Sequence, residues 1–382
     1  MLKSIRLLIR ALIPRGLWER LRAIRNHRRI HRVEEVCLRE MVHSSAVTKS
    51  PTPTREPTLQ NGAPLRRMVL IADVMWETNE LVPELRRICE VEVHDLRPTL
   101  RHIPAEQARQ HISRSVEKFL SSFGEKEPDV VLLYLRGNLL SEELFDLLRK
   151  RWSCPLLGMN LDDKVSFWNY GPAGGGDHYQ KWAPRFDLNL TNSKIAVSWY
   201  HQAGAACTYL PPALKRAEGL GEPQHANFQH ALSFVGSPKL DRETLVGRLR
   251  DLGLPVTVFG KGWQDGGWVE DPVAIYRASQ LNLGLGMATP HFSTTKNRDF
   301  ECPGVGGCYL TTFNWELAEW WDIGREILCY RNEEELVEIA CWYRNRPDQC
   351  HQIARAAWRR GMAEHTWELR FRRLFREIGF AV

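Results

Sequence analysis

The most informative stretch of the sequence is Lys296-Asn297-Arg298-Asp299-Phe300-Glu301-Cys302-Pro303-Gly304-Val305-Gly306-Gly307. Apolar strand patterns lie on both sides of it, at 281–287 and 308–313. A helix beginning near Phe300 would point its backbone N–H groups at an anion in front of it. Lys296 and Arg298 would add full charges, and Glu301 could accept hydrogen bonds from a sugar diol. The stretch therefore fits a ribose diphosphate, and a solvated charged loop before a helix fits it equally well.

The length and composition indicate a soluble protein of two domains. A chain of 382 residues is longer than one hydrophobic core ordinarily supports. Its content of 43% hydrophobic and 26% charged residues is typical of globular proteins. No window holds the ~20 uncharged apolar residues of a membrane span, and Arg6 and Arg10 interrupt any signal-peptide core. The nine cysteines include no CxxC pair, which favours a reducing cytoplasm and excludes a zinc-type cluster.

Most of the positive charge lies at the N-terminus. Residues 1–40 carry eleven Lys or Arg against four Glu, a net charge of +7, whereas the whole chain has +6. We expect residues 1–42 to form a basic amphipathic helical segment that binds an anionic membrane surface. A helix that docks on its own protein or on a partner is the alternative, and no nucleic acid is expected because the rest of the chain is nearly neutral. Residues 43–65 have the composition of a flexible linker.

From Met68 onward, short apolar runs alternate with helical spacing, which predicts parallel sheets covered by helices. The predicted strands are 68–72, 91–96, 129–135, 155–161, 188–191, 207–210, 232–236, 256–260, 281–285, 308–312 and 327–330. The predicted helices are 105–122, 142–151, 194–202, 242–252, 273–278, 315–321, 333–345, 348–363 and 366–378.

The alternation restarts after a polar segment with Gly and Pro. We therefore predict an α/β fold of two Rossmann-like, doubly wound parallel-sheet domains that face a cleft. The N-terminal domain covers 66–212, an interdomain linker 213–229, the C-terminal domain 230–365, and a C-terminal helix 366–382. Ligands of such sheets bind beyond the carboxyl ends of the strands.

Two strands of the second domain end in glycine loops, Gly236-Ser237 and Gly260-Lys261-Gly262-Trp263. Glycine lets backbone N–H groups approach a phosphate or a base closely. Each loop alone could be an ordinary turn. Together with the 296–307 stretch they place three candidate loops on one edge of one sheet.

These motifs, with Gly306-Gly307 and the ending Glu364-His365-Thr366-Trp367, resemble the C-terminal domain of family-1-like glycosyltransferases, nearest to the spore-maturation CgeB type. The resemblance is clearest over 155–367. It implies a GT-B fold, in which the second domain binds the nucleotide-sugar donor and the first domain the acceptor. It implies no metal and no other cofactor, and a C-terminal helix that returns across the gap.

The resemblance also implies roles for individual residues. Glu301 would bind the nucleotide ribose, Gly260 would line the base pocket, and Gly236 would approach the diphosphate. The same loops supply the remaining nucleotide-binding candidates, Ser237, Lys261, Trp263, Phe300 and Gly306. Many retaining relatives have a second glutamate where this sequence has Thr294, so Lys296 and Arg298 are our candidates for neutralising the leaving diphosphate.

In the first domain, Asp162 and Asp163 follow a predicted strand and should face the cleft. Either could act as general base on an acceptor hydroxyl, or could cap the next helix. The loop at 73–79 is a second acceptor-side candidate, with the same capping alternative. The glycine-rich loop at 171–178 could be a lid, and His178 is a weaker candidate for the base.

These observations predict a cytoplasmic, membrane-associated glycosyltransferase that moves a hexose from a nucleotide-diphosphate sugar to a glycan, lipid-linked or protein acceptor. A GT-B sugar-nucleotide epimerase or glycerophosphotransferase is the alternative within enzymes. A non-catalytic protein that binds a nucleotide-sugar or a partner is the alternative outside them, because the second glutamate is absent.

Overall fold

The computed structural model describes residues 58–73, 79–100, 103, 105–167, 178–216, 219–224, 228–238, 242–269, 271–285 and 295–382. Several predictions lie outside these residues: the amphipathic segment, most of the linker, the loop residues 74–78 and 168–177, and Thr294.

The first sheet has six parallel strands in the order β2-β1-β3-β4-β5-β6. They are β1 (Arg67–Ala72), β2 (Glu90–Asp95), β3 (Val130–Tyr134), β4 (Leu156–Asn160), β5 (Leu188–Thr191) and β6 (Cys207–Tyr209). The continuous apolar runs of the sequence become buried strands; Met68, Val69, Leu70 and Ile71 of β1 have no exposed surface. Such runs are expected where helices cover both faces of a parallel sheet.

In the part of the chain that the structure describes, seven helices accompany this sheet. They are α1 (Leu81–Leu85), α2 (Arg97–Leu100), α3 (Ala105–Ser122), α4 (Glu142–Arg151), α5 (Asp163–Ser166), α6 (Tyr179–Trp182) and α7 (Lys194–Gln202). The sequence determines where α4 begins, because the Ser141 hydroxyl caps the helix by accepting a hydrogen bond from the Leu144 N–H at 3.2 Å.

The second sheet has five parallel strands in the order β11-β10-β9-β7-β8. They are β7 (His230–Val235), β8 (Val256–Phe259), β9 (Ser279–Gly284), β10 (Tyr309–Thr312) and β11 (Leu328–Tyr330). The remaining helices are α8 (Arg242–Asp251), α9 (Val273–Ala278), α10 (Arg298–Gly304), α11 (Glu333–Arg344), α12 (Pro347–Glu364) and α13 (Trp367–Glu377). Among the helices that the structure describes, none has the length and apolar character needed to cross a bilayer.

The predicted helix over 315–321 is wrong. Only a 3₁₀ turn forms there, at Leu317–Glu319. The Asn314 side chain accepts a hydrogen bond from the Glu316 N–H at 3.1 Å, and such local side-chain bonds compete with helix formation.

The last helix, α13, packs on the first sheet although it follows the second domain in sequence. Trp367, Phe371 and Phe375 have no exposed surface and belong to the same apolar cluster as strand residues of β1 and β4. Residues 58–64, within the predicted linker, pair with the chain after α13: the Leu59 N–H donates to the Ile378 carbonyl at 2.9 Å. The C-terminus therefore ties the two domains together.

The carboxyl edges of the two sheets face each other. Glu316, 1% exposed, accepts hydrogen bonds from the Lys194 N–H at the start of α7 and from the Tyr209 hydroxyl, both at 3.2 Å. The Asn192 amide donates to the Thr295 carbonyl at 3.1 Å. These contacts join the chain that follows β5 and β6 to the chain that follows β9 and β10.

We predict that Phe371→Ala destabilises the protein by about 3–5 kcal/mol, because it removes a fully buried ring from the contact between α13 and the first sheet. Arg373→Ala on the same helix is the control, since the Arg373 side chain is 74% exposed and its change should cost less than about 1 kcal/mol. Calorimetric melting measures both. Equal melting temperatures for the two variants would contradict the packing described.

Candidate functional site

The candidate site lies at the carboxyl edge of the second sheet, between β7 and β9. The strand order reverses there, because β8 lies on one side of β7 and β9 on the other. A Cβ atom on Gly260 would lie 2.7 Å from the Gly236 carbonyl oxygen, and one on Gly236 would lie 3.2 Å from Arg298 Nη2. The loops after β7 and β8 thus converge on the start of α10. Neither Gly236 nor Gly260 has room for a side chain.

Two arginines lie against the ring of Phe234 at the end of β7. The guanidinium carbon of Arg298 is 4.9 Å from the ring centroid, and that of Arg242 is 5.3 Å from it. Burial, followed by the nearby charge of Arg298, lowers the pKa of Arg242 to about 10. Two like charges this close, at the switch point of a doubly wound sheet, favour an anion between or above them.

Arg242 was missed by the sequence analysis. It is the first residue of α8 and stands six positions after Gly236. Its guanidinium donates to the Leu285 carbonyl at 2.8 Å and to the Ser237 carbonyl at 3.1 Å. The signal available in the sequence was a cation at the start of the helix that follows a glycine loop.

The conformation of the 296–301 stretch depends on Asp299, which is 5% exposed. One carboxylate oxygen accepts a hydrogen bond from the Lys296 N–H at 2.7 Å, and the other accepts one from the Tyr309 hydroxyl at 2.8 Å. These bonds fasten the turn before α10 to β10. They present Lys296, Arg298 and Glu301 toward the cleft, while Asp299 itself is enclosed.

Glu301 is a partly buried carboxyl with an unusual pKa. Burial, and then the charge of Glu80 from the N-terminal domain, raise the pKa of Glu301 to about 8, with Arg298 opposing them. None of the described residues hydrogen-bonds its side chain. A protonated carboxyl can donate one hydrogen bond and accept another, and an ionised one can accept two, so Glu301 can bind a sugar diol in either form.

The other predicted residues of the glycine loops support the site or border it. Trp263 is 9% exposed, and its indole N–H donates to the Gly236 carbonyl at 2.6 Å, which fixes the loop after β7. Lys261 lines a cavity of about 520 Å³ together with Trp268 and two glycines. Ser237 contributes the carbonyl that Arg242 binds.

Two predicted nucleotide-binding residues lie away from the cleft. Phe300 has no exposed surface, and its ring packs 5.8 Å from that of Trp321 and 5.6 Å from that of His365. Gly306 precedes β10 at the amino edge of the sheet, where a Cβ atom would meet Pro223 at 3.0 Å. The structure therefore gives both residues packing roles.

The structure separates the two adjacent aspartates. The Asp162 side chain is 65% exposed and forms a 3.0 Å ion pair with Lys296 across the cleft. Asp163 is 1% exposed and accepts hydrogen bonds from the Asn160 amide at 2.6 Å and the Tyr200 hydroxyl at 2.8 Å. Burial raises the pKa of Asp163 to about 8, against these hydrogen bonds. Asp162 faces the second domain, whereas Asp163 is enclosed in the first.

The remaining candidates of the first domain are described only in part. Asp73 follows β1, and its carboxylate forms a 3.0 Å ion pair with Arg136 after β3. His178 is exposed and has a φ of +45°. The loops that they border lie outside the described residues.

Comparison with protein families gives one match, which covers residues 242–376 and is described as glycosyl transferase-like. The matched region begins at Arg242 and contains α10 with its charged stretch. No curated protein matches the sequence significantly. The match agrees with the predicted glycosyltransferase character of the C-terminal domain.

Solved structures resemble the protein over both domains. Sucrose-phosphate synthase from Thermosynechococcus elongatus has a TM-score of 0.56 at 11% identity, over 82% of this chain and 99% of its own. HepE from Anabaena, solved with UDP and glucose, has a TM-score of 0.55 at 13% identity, over 81% of this chain and 98% of its own. At these identities the likeness concerns the fold, and it confirms the predicted GT-B architecture.

We predict that Glu301→Gln increases stability more at high pH than at low pH. The pKa of Glu301 is raised in the folded protein, so its contribution to the unfolding free energy is present below about pH 4.5 and is lost as the pH rises toward about 8. Glutamine does not titrate. The melting temperature of the variant should therefore gain about 2 °C or more on wild type between about pH 5 and about pH 8.

The control for this prediction is Glu338→Gln, on the exposed face of α11. Its melting temperature is compared with that of wild type over the same pH range. If the melting-temperature difference between Glu301→Gln and wild type did not change with pH, the pKa of Glu301 would not be raised by burial.

Proposed function

We propose that the protein transfers a hexose from a nucleotide-diphosphate sugar to a polysaccharide, lipid-linked or protein acceptor. One observation carries the proposal: the guanidinium groups of Arg242 and Arg298 both lie against the Phe234 ring at the switch point of the second sheet, with Arg298 beside the glycine loop at Gly236. A diphosphate supplies the negative charge that this arrangement lacks. The glycosyl transferase-like match over 242–376 supports it.

The nucleoside extends from the diphosphate along the glycine loops. The base enters the cavity at Lys261 and Trp268, and the Trp268 ring, 72% exposed, offers it a stacking surface. Glu301 binds the ribose diol. Gly236 and Gly260 keep the backbone close to the ligand.

In the reaction, an acceptor oxygen forms a bond to the anomeric carbon while the bond from that carbon to the diphosphate oxygen breaks. The leaving diphosphate gains negative charge, which Arg298, Arg242 and Lys296 stabilise, so the proposed reaction requires no metal. Asp162, exposed beside Lys296, accepts the proton of the acceptor hydroxyl. Asp163 keeps Asn160 and Tyr200 in place behind it.

We predict that one nucleoside diphosphate among UDP, GDP, TDP and ADP raises the melting temperature of the wild-type protein. A ligand at a hundred times its dissociation constant stabilises the folded state by about 2.7 kcal/mol, which a thermal-shift measurement detects. Arg298→Ala and Glu301→Ala should lose most of the shift.

The matched control is Arg325→Ala, whose side chain is 84% exposed in the turn before β11. It should keep the full shift, and the melting temperatures without nucleotide report whether each variant is folded. If no diphosphate stabilises the wild type, or if folded Arg298→Ala retains the shift, the proposed donor site is wrong.

The N-terminal segment supports a second part of the proposal, a location on the inner face of the cytoplasmic membrane. Its charge of +7 over residues 1–40 and its apolar spacing suit an anionic lipid surface. Deletion of residues 1–45 should release the protein from vesicles that contain phosphatidylserine without changing nucleotide binding. Undiminished vesicle binding by the truncated protein would refute this location.

A further inference from the structure

The exposed aromatic side chains of the C-terminal domain are unevenly distributed. Among the described residues, the large apolar side chains that remain exposed are Leu252, Trp268, Phe313, Trp315 and Trp342. Trp268 follows β8, and Phe313 and Trp315 follow β10, so these three lie at the carboxyl edge that faces the cleft. Leu252 and Trp342 lie at the far edge, where Arg344 beside Trp342 donates to the Gly253 carbonyl at 2.8 Å.

The order of the strands sets the spacing along the carboxyl edge. β8, β7, β9 and β10 are successive neighbours. Adjacent strands are about 4.8 Å apart, so the loops after β8 and β10 are separated by about 14 Å. With the base beside Trp268 and the diphosphate at the switch point between β7 and β9, the loop after β10 lies beyond the phosphates, on the side away from the nucleoside.

Trp315 is held in place at the boundary between the two domains. Lys194, from α7 of the first domain, has its ammonium 5.6 Å from the centroid of the Trp315 ring and 5.4 Å from that of Tyr209. The same ammonium is paired with Glu319. The Trp315 side chain is nevertheless 54% exposed, so Lys194 orients the ring without covering it.

Polar groups surround the two rings. Phe313 is 38% exposed and has the Arg331 guanidinium 5.7 Å from its centroid. Lys194 and Glu319 beside Trp315, and Arg331 beside Phe313, therefore place donors and acceptors of hydrogen bonds next to the two rings. A pyranose has matching properties, because one face presents C–H groups and its rim carries hydroxyls.

We propose that Phe313 and Trp315 form a subsite for a saccharide unit of the acceptor. The inference rests on the proposed glycosyltransferase function and specifies its acceptor, which is a glycan with at least one sugar ring in contact with Trp315. The subsite spans both domains, since Lys194 belongs to the first and Trp315 to the second. An acceptor bound there lies on the sugar side of the donor.

The test compares Trp315→Ala with Trp342→Ala in the full-length protein. The two tryptophans are matched in exposure, at 54% and 53%, and lie at opposite edges of the sheet. The probes are tetrasaccharides of glucose, galactose, mannose and N-acetylglucosamine, observed by saturation-transfer NMR in the presence of whichever of UDP, GDP, TDP and ADP stabilises wild type most. Binding of that nucleoside diphosphate is measured separately by thermal shift for each protein.

We expect at least one tetrasaccharide to bind wild type and Trp342→Ala equally, and Trp315→Ala about tenfold more weakly, with nucleoside diphosphate binding the same in all three. Phe313→Ala should weaken binding of the same tetrasaccharide by a smaller factor. Equal tetrasaccharide binding by Trp315→Ala and Trp342→Ala would overturn the subsite, and so would the absence of tetrasaccharide binding to wild type that binds a nucleoside diphosphate. If wild type binds none of UDP, GDP, TDP and ADP, the donor site is wrong instead.

Discussion

The buried carboxylate of Glu316 holds the carboxyl edges of the two sheets against each other. It is bound by the N–H at the start of α7 and by the Tyr209 hydroxyl, both from the first domain. A carboxylate at 1% exposure would be costly without such partners. Because every strand in both sheets is parallel, the loops that carry function are all at these edges. Because the two edges face each other, Oδ1 of Asp162 lies 3.0 Å from Nζ of Lys296, and the space between the edges is the cleft.

The electrostatics of the second domain follow from what the fold encloses. Asp299 is enclosed, and its oxygens accept hydrogen bonds from the Lys296 N–H in the turn before α10 and from the Tyr309 hydroxyl of β10. Burial and Glu80 raise the pKa of Glu301 to about 8, which reduces its negative charge at neutral pH. The guanidinium groups of Arg242 and Arg298 both lie against the ring of Phe234. The site is thus prepared for an anion before any ligand arrives.

Local patterns predicted most of the fold, because buried parallel strands are continuous apolar runs and because glycines after strands mark the edge that binds ligands. The predicted helix over 315–321 did not form because the Asn314 side chain binds the Glu316 N–H locally, and because the Glu316 side chain is used in a contact with the first domain. The same limit applies to Arg242, Phe300 and Asp163, since a sequence pattern does not distinguish a cleft-facing side chain from an enclosed one. Asp162 and Asp163 are adjacent in sequence, but Asn160 and Tyr200 enclose Asp163 alone.

The donor site at the switch point of the second sheet is tested most directly by a crystal structure of the protein with the nucleoside diphosphate that stabilises it most. We expect phosphate oxygens within hydrogen-bonding distance of the Arg298 guanidinium and of the backbone after β7, with the ribose hydroxyls at Glu301. The base should lie toward Trp268. A diphosphate bound elsewhere, with Arg242 and Arg298 unoccupied, would contradict the assignment of the switch point as the donor site.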